Sequence, residues 1–119
     1  MSNSEITNQS SCSESEPFAL QVLGDSMEPE FPDGCIITIE PNGQCVSGMF
    51  IMCMVEDTRW FRQYIKDNQG ERLVALNDMY PEIYLEDLSW KVEGIIMQRV
   101  LRKKQSSTGK RESKHYSHA

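Results

Sequence analysis

What most limits the fold of this chain is its punctuation. Short β-type runs recur about every eight to twelve residues, and each is closed by Gly, Pro, Asn or Asp. They read "FALQVL" (18–23), "CIITIE" (35–40), "MFIMCMV" (49–55), "TRWFRQYI" (58–65), "RLVAL" (72–76) and "KVEGIIMQRVL" (91–101). Between them lie Gly24, Pro41-Asn42-Gly43, Glu56-Asp57 and Asp67-Asn68-Gln69-Gly70, and residues 27–34 form a proline-bearing loop with one helical turn at most. No stretch repeats apolar residues at helical spacing. The pattern therefore predicts a mainly β single domain. The run 49–55, apolar at every position, is expected to be its most buried strand, with 58–65 returning beside it as a hairpin.

The two ends lie outside that rhythm. Residues 1–16 (MSNSEITNQSSCSESE) and 102–119 (RKKQSSTGKRESKHYSHA) have little to bury, so neither can offset the entropy of ordering. The expected organisation is a disordered arm over 1–16, a folded domain over 17–101 and a disordered basic tail over 102–119. A domain of that size holds one small core and no separate DNA-reading unit. A helix-turn-helix needs helices that the pattern lacks, so no direct sequence-specific DNA binding is expected.

Charge sharpens the division. Seven of the twelve basic residues follow Gln98, against Glu112 as the one acid there, which leaves five basic and seventeen acidic residues in the first 98, a net of −12. Such a body repels phosphate, and the basic end reads as a solvated tail. No apolar run approaches the ~18 residues that span a membrane, and the N-terminus has no basic-then-apolar leader, so a cytoplasmic protein without membrane contact is expected. The cysteines Cys12, Cys35, Cys45 and Cys53 form no C-x-x-C pair and read as free thiols. With both histidines in the tail, neither a metal nor a cofactor is expected.

One serine stands out at the end of the first run. Gly24-Asp25-Ser26-Met27, taken alone, is a turn capped by glycine. In context, "GDSMEPEFPDGCIITIEP" resembles the nucleophile segment of the LexA/UmuD-like repressor peptidases, relatives of the signal peptidases, in which a small-x-Ser-Met-x-Pro-x-x-x-x-Gly segment precedes a hydrophobic strand. The matches continue in order through "MFIMCMVEDTRWFRQYI", "LVALNDMYPEI" and "WKVEGIIMQRV", covering about residues 18–101. The resemblance implies a fold of small coiled β-sheets and a serine–lysine dyad, in which a neutral lysine takes the serine proton and backbone N–H groups hold the oxyanion. It makes Ser26 the nucleophile and the N–H groups of Asp25 and Ser26 the oxyanion donors.

The dyad lysine is implied on the strand after Glu56-Asp57, where this chain has Arg62. Lysine starts near pKa 10.4, and lowering it to about 7 costs roughly 4–5 kcal/mol, which burial can supply. Arginine starts above about 12, so neutralising it costs roughly 7 kcal/mol or more. Lys66, on the same face by alternation, is a substitute base, but it sits at the strand end where water keeps it charged. The resemblance also implies a small-residue–Gly cleavage bond upstream of the serine, and residues 1–23 contain no glycine. Trp60, Phe61 and Tyr64 read as hairpin and core packing, with a peptide groove as the alternative. Asn77 and Tyr80-Pro81 read as shaping their loop.

Two functional readings follow. The first is a catalytically impaired regulatory or interaction module of the SOS or phage-repressor type. It is expected to form a homodimer through the free apolar face of 91–101, with a recombinase filament, a DNA polymerase or a repressor as partner. The alternative is an active serine peptidase using Ser26 with Arg62 or Lys66, cutting itself or a partner.

Overall fold

The computed structural model describes residues 16–102 and 109–116. Its strands are β1 (Phe18–Gln21), β2 (Ile36–Pro41), β3 (Phe50–Val55), β4 (Thr58–Asp67), β5 (Gly70–Val74), β6 (Ile83–Tyr84), β7 (Trp90–Leu101) and β8 (Glu112–His115). All pair antiparallel in one eight-stranded sheet, ordered β1-β2-β7-β3-β4-β5-β6, with β8 also against β7. Among the described residues there is no helix, and so none long and apolar enough to cross a membrane.

The mainly β expectation holds, and the six runs read from the sequence are all strands. The hairpin 49–65 is β3 and β4, in register from Phe50↔Gln63 to Val55↔Thr58. Its turn places Glu56 and Asp57 at φ of 48° and 70°, the left-handed pair that matches the twist of a two-residue hairpin.

Strand β7 is the spine. One edge pairs with β2, from Ile36↔Val100 to Pro41↔Gly94, and the other pairs with β3, from Ile51↔Ile95 to Val55↔Trp90. Register shifts at Thr38/Ile39 and at Met52/Cys53 bend the sheet at this crossing. Gly94 sits where β2 comes closest: a Cβ there would lie 2.4 Å from Ile39 Cγ2 and 3.1 Å from the Glu40 carbonyl oxygen.

The bend buries both faces of the central strands. Met52 joins Val22, Met27, Phe31, Cys35, Ile37, Ile39 and Ile96 in one apolar cluster, while its neighbours Ile51 and Cys53 join Tyr64, Leu73, Val92 and Ile95 in a second. That is why 49–55 is apolar without alternation.

Two expectations need correction. The closing strand was expected to keep an apolar face for a partner copy. Instead Ile95 and Ile96, on opposite faces, are both buried within the chain, and both edges of β7 are occupied. The tail 102–119 was expected to be disordered, but residues 112–115 form β8, registered from Gln98↔His115 to Leu101↔Glu112. Tyr116 follows and packs on Phe31 and Phe50, with ring centroids 5.5 and 5.6 Å away. Its hydroxyl donates to Glu30 Oε2 at 2.7 Å, as does Lys114 Nζ at 2.7 Å. Composition missed this because one aromatic and one charge, correctly placed, anchor a segment that is otherwise polar. The remaining tail residues 103–108 and 117–119, and the arm 1–15, lie outside the described residues.

Candidate active site

The Ser26 turn is the tip of a loop closed at its neck. Past β1, Val22 donates to the Cys35 carbonyl at 2.8 Å and Gly34 donates to the Val22 carbonyl at 2.7 Å. Gly24, at φ 95°, then swings the chain outward and donates its N–H to Asp33 Oδ1 at 2.7 Å. After the serine, one helical turn closes from the Phe31 N–H to the Met27 carbonyl at 2.9 Å. Met27 and Phe31 are both fully buried, so apolar side chains on the inner face pin a polar tip to the core. Phe31 sits edge-on to Phe50 and Phe61, at 4.9 and 5.0 Å.

The loop after β5 braces the same tip from the other side. Asn77 donates its N–H to the Ser26 carbonyl at 3.0 Å and its Nδ2 to the Asp25 carbonyl at 3.1 Å. The Tyr80 hydroxyl donates to the Asp25 carboxylate. The sequence reading had these residues shaping their own loop. Their larger role is to hold the Asp25 and Ser26 carbonyls (Asn77) and the Asp25 carboxylate (Tyr80), and its signal in the sequence was the Asn-x-x-Tyr-Pro element. With the carbonyls held, the N–H groups of Asp25 and Ser26 have no acceptor among the described residues.

Arg62 completes the site from β4. Its Nη1 donates to Ser26 Oγ at 3.1 Å and to the Phe61 carbonyl at 2.9 Å, which uses both hydrogens of that nitrogen. The guanidinium lies 5.0 Å from the centre of the Trp60 ring and 5.8 Å from that of Tyr80, a cation–π arrangement. Arg62 is 8% exposed, and its Nε is buried without a hydrogen-bond partner. No carboxylate among the described residues lies within ion-pair distance of it. Burial lowers its pKa, while Tyr80 and Cys53 oppose that shift. Arginine nevertheless keeps its proton in proteins.

A groove of about 320 Å³ opens beside Ser26 and Arg62, between residues 20–23 at the end of β1 and residues Arg59, Trp60 and Phe61 of β4, with Ile37 and Met52 also lining it. No lysine lines it. Lys66, the other residue named as a base, is exposed at the far end of β4, four positions or about 13 Å along the strand from Arg62. Its N–H donates to Ser47 Oγ, away from the groove. The structure therefore brings Ser26, Asp25 and Arg62 together and leaves Lys66 out. Trp60 was read as packing, and it also stacks on Arg62 and lines the groove.

Chemically, the serine faces a donor. A general base presents a lone pair to the hydroxyl hydrogen, whereas here a protonated nitrogen presents a hydrogen to Oγ. The arrangement can hold negative charge at Ser26, and the one side chain that bonds Oγ among the described residues is a donor. The three described thiols lie elsewhere: Cys35 and Cys45 are pushed up to about 11 and Cys53 to about 12 by burial, so none of the three is a ready nucleophile.

Comparison with known proteins bears on the family of the chain. A family model described as Peptidase S24-like matches residues 3–97. An HTH-type transcriptional regulator for conjugative element SXT of Vibrio cholerae is 30% identical over 91 residues, covering 71% of this chain and 42% of that protein. Prophage repressor CohE of Escherichia coli is 32% identical over 71 residues (58% and 32% of the two chains). A LexA repressor of Clostridium perfringens is 33% identical over 73 residues (60% and 36%). The chain thus spans less than half the length of these relatives.

Proposed function

The chain belongs to the Peptidase S24-like family, and from that premise we propose that it is a regulatory module whose serine binds without cutting. The observation that carries this is the 3.1 Å contact in which Arg62 donates to Ser26 Oγ. Arg62 takes the place of the dyad lysine, and its positive charge is fixed at any pH at which the fold survives. The relatives named as a transcriptional regulator, a prophage repressor and a LexA repressor support a role in repressor-type control. On this reading the groove receives an extended segment of polypeptide, the chain acts in the cytoplasm and forms a homodimer, and its partner is a repressor, a DNA polymerase or a recombinase filament. Because β7 has both edges occupied, the dimer contact uses another surface. Sedimentation at high micromolar concentration tests self-association, and a purely monomeric boundary removes it from the reading.

The active-peptidase reading draws on one observation: Ser26 and the two unengaged N–H groups of Asp25 and Ser26 remain assembled. An intact-mass time course separates the two. The purified chain is followed at neutral and at alkaline pH, with and without activated recombinase filament and with an unfolded protein as substrate. Unchanged masses are expected for chain and substrate. Fragments that disappear in Ser26→Ala establish the peptidase.

A further inference from the structure

Most of the Ser26–Arg62 site is satisfied, and what is left over has a consistent chemistry. Arg62 is more than nine-tenths buried and carries a full positive charge, yet no acid of the described residues pairs with it. Its Nη1 is fully used and its Nε is sealed from solvent without a partner. Nη2 makes no hydrogen bond with any described residue and is not among the buried unpartnered atoms, so it is left to the groove that Arg62 lines. Buried charges are ordinarily paired, because an isolated one bears its desolvation cost uncompensated. The cation is therefore short of one anion. Beside it, the N–H groups of Asp25 and Ser26 lack acceptors, so two further donors border the same spot.

The approach to that spot is a strand edge. Among the described residues β1 pairs with β2 on one side only, and no described strand covers its outer N–H and C=O groups. All four of its residues are exposed, with Phe18 and Leu20 at 44% and 41%. An extended peptide adds naturally to such an edge. β1 leads through Leu23 and Gly24 into the Ser26 turn, so a peptide that runs parallel to β1 carries its C-terminal end toward Ser26. A groove near 320 Å³ is at the small end of ligand pockets and suits the end of a peptide.

We propose that the Ser26–Arg62 site is a receptor for the C-terminal carboxylate of a peptide bound in extended form along β1. One carboxylate oxygen accepts from the Asp25 and Ser26 N–H groups, and the other accepts from Arg62 Nη2 and the Ser26 hydroxyl. Arg62 thereby gains one charge-assisted hydrogen bond through Nη2 and a counter-ion for its buried charge. The replacement of a base by arginine converts a site for cutting chains into one for recognising cut or natural chain ends. The inference rests on the non-cutting reading above.

The test uses the whole chain, labelled with ¹⁵N, and three pools of acetylated four-residue apolar peptides. The first pool ends in a free carboxylate, the second in an amide, and the third carries an aspartate at its third position and ends in an amide. Binding is read from the amide resonances of Asp25 and Ser26 and the Nε–H resonance of Arg62. The carboxylate pool is expected to move these three resonances and to bind at least about tenfold more tightly than the amide pool, the scale of one charge-assisted hydrogen bond. Arg62→Gln is expected to reduce that preference to less than about threefold, and the wild-type comparison stands without any variant. The proposal is overturned by equal binding of the first two pools, by equal binding of the aspartate pool, or by no movement at these resonances up to about 10 mM peptide. Mass spectra of the peptides after the titration decide the underlying reading separately. Cut peptides refute the non-cutting module itself, whereas intact peptides with no carboxylate preference refute only the receptor.

Discussion

Removing the Tyr116 side chain should unfold much more than the end of the tail. The ring of Tyr116 meets Phe31 and Phe50, and Phe31 is the fully buried anchor of the Ser26 loop. Truncating a wholly buried aromatic to alanine costs about 3–5 kcal/mol, so a partly buried one should lose about 2. The hydrogen bond to Glu30, which is 25% exposed, adds about 1 kcal/mol. Tyr116→Ala should therefore lose about 2–3 kcal/mol, or roughly 10–20 °C in Tm for a domain of this size. Tyr116→Phe keeps the ring and should lose only about 1 kcal/mol. Burial alone would raise the Glu30 pKa, but the bonds from Lys114 and Tyr116 and the charge of Arg99 hold it below the usual carboxylate value. A depressed carboxylate contributes stability that is present above its unfolded pKa and is lost as pH falls through its folded pKa. The Tyr116→Phe penalty should thus be full at pH 7 and fade below about pH 4. Urea unfolding followed by tryptophan fluorescence at the two pH values measures both effects. If Tyr116→Ala falls within about 0.5 kcal/mol of wild type, the tail is not part of the core and the placement of β8 is wrong.

Two further changes probe the scaffold. Gly94→Ala forces a methyl group against Ile39 and the Glu40 carbonyl where β2 crosses β7, and should lower stability by about 1–3 kcal/mol in the same urea assay; an unchanged midpoint would refute the close crossing. Asn77→Ala removes the bond to the Asp25 carbonyl and should cost about 1 kcal/mol globally. It should also speed amide exchange at Glu28 and Phe31 more than in β7, and uniform acceleration would show that Asn77 does not brace the Ser26 turn locally.

How much of this was readable in advance depended on the range of the interaction involved. The six main strands were legible because each carries its own evidence, such as the β-branched run before Pro41 or the unbroken apolar stretch 49–55. Strand β6 was not, because two residues against Arg72 and Leu73 leave no pattern. Strand β8 was not, because its reason for being ordered lies elsewhere: Tyr116 meets a glutamate 86 residues earlier. At the site, the motif match pointed to Ser26, Asp25 and Arg62, and Arg62 Nη1 lies 3.1 Å from Ser26 Oγ, with Asp25 next to the serine in the chain. What the sequence could not convey was that Arg62 lacks a carboxylate among the described residues. That depends on where every acid of a strongly acidic chain ends up. The bracing by Asn77 and Tyr80 was half legible, since the motif was visible but not the carbonyls it holds.

The central claim is that arginine leaves Ser26 without a base, and a serine-directed acylating probe tests it most directly. Labelling rates are measured at moderately alkaline pH for wild type, Arg62→Lys and Ser26→Ala. Lysine buried beside Ser26 can lose its proton there, whereas arginine cannot. Arg62→Lys should label at least about tenfold faster than wild type, equivalent to about 1.4 kcal/mol of barrier, and Ser26→Ala should not label. Wild type labelling at Ser26 as fast as Arg62→Lys would contradict the account, because a working base would then already be present.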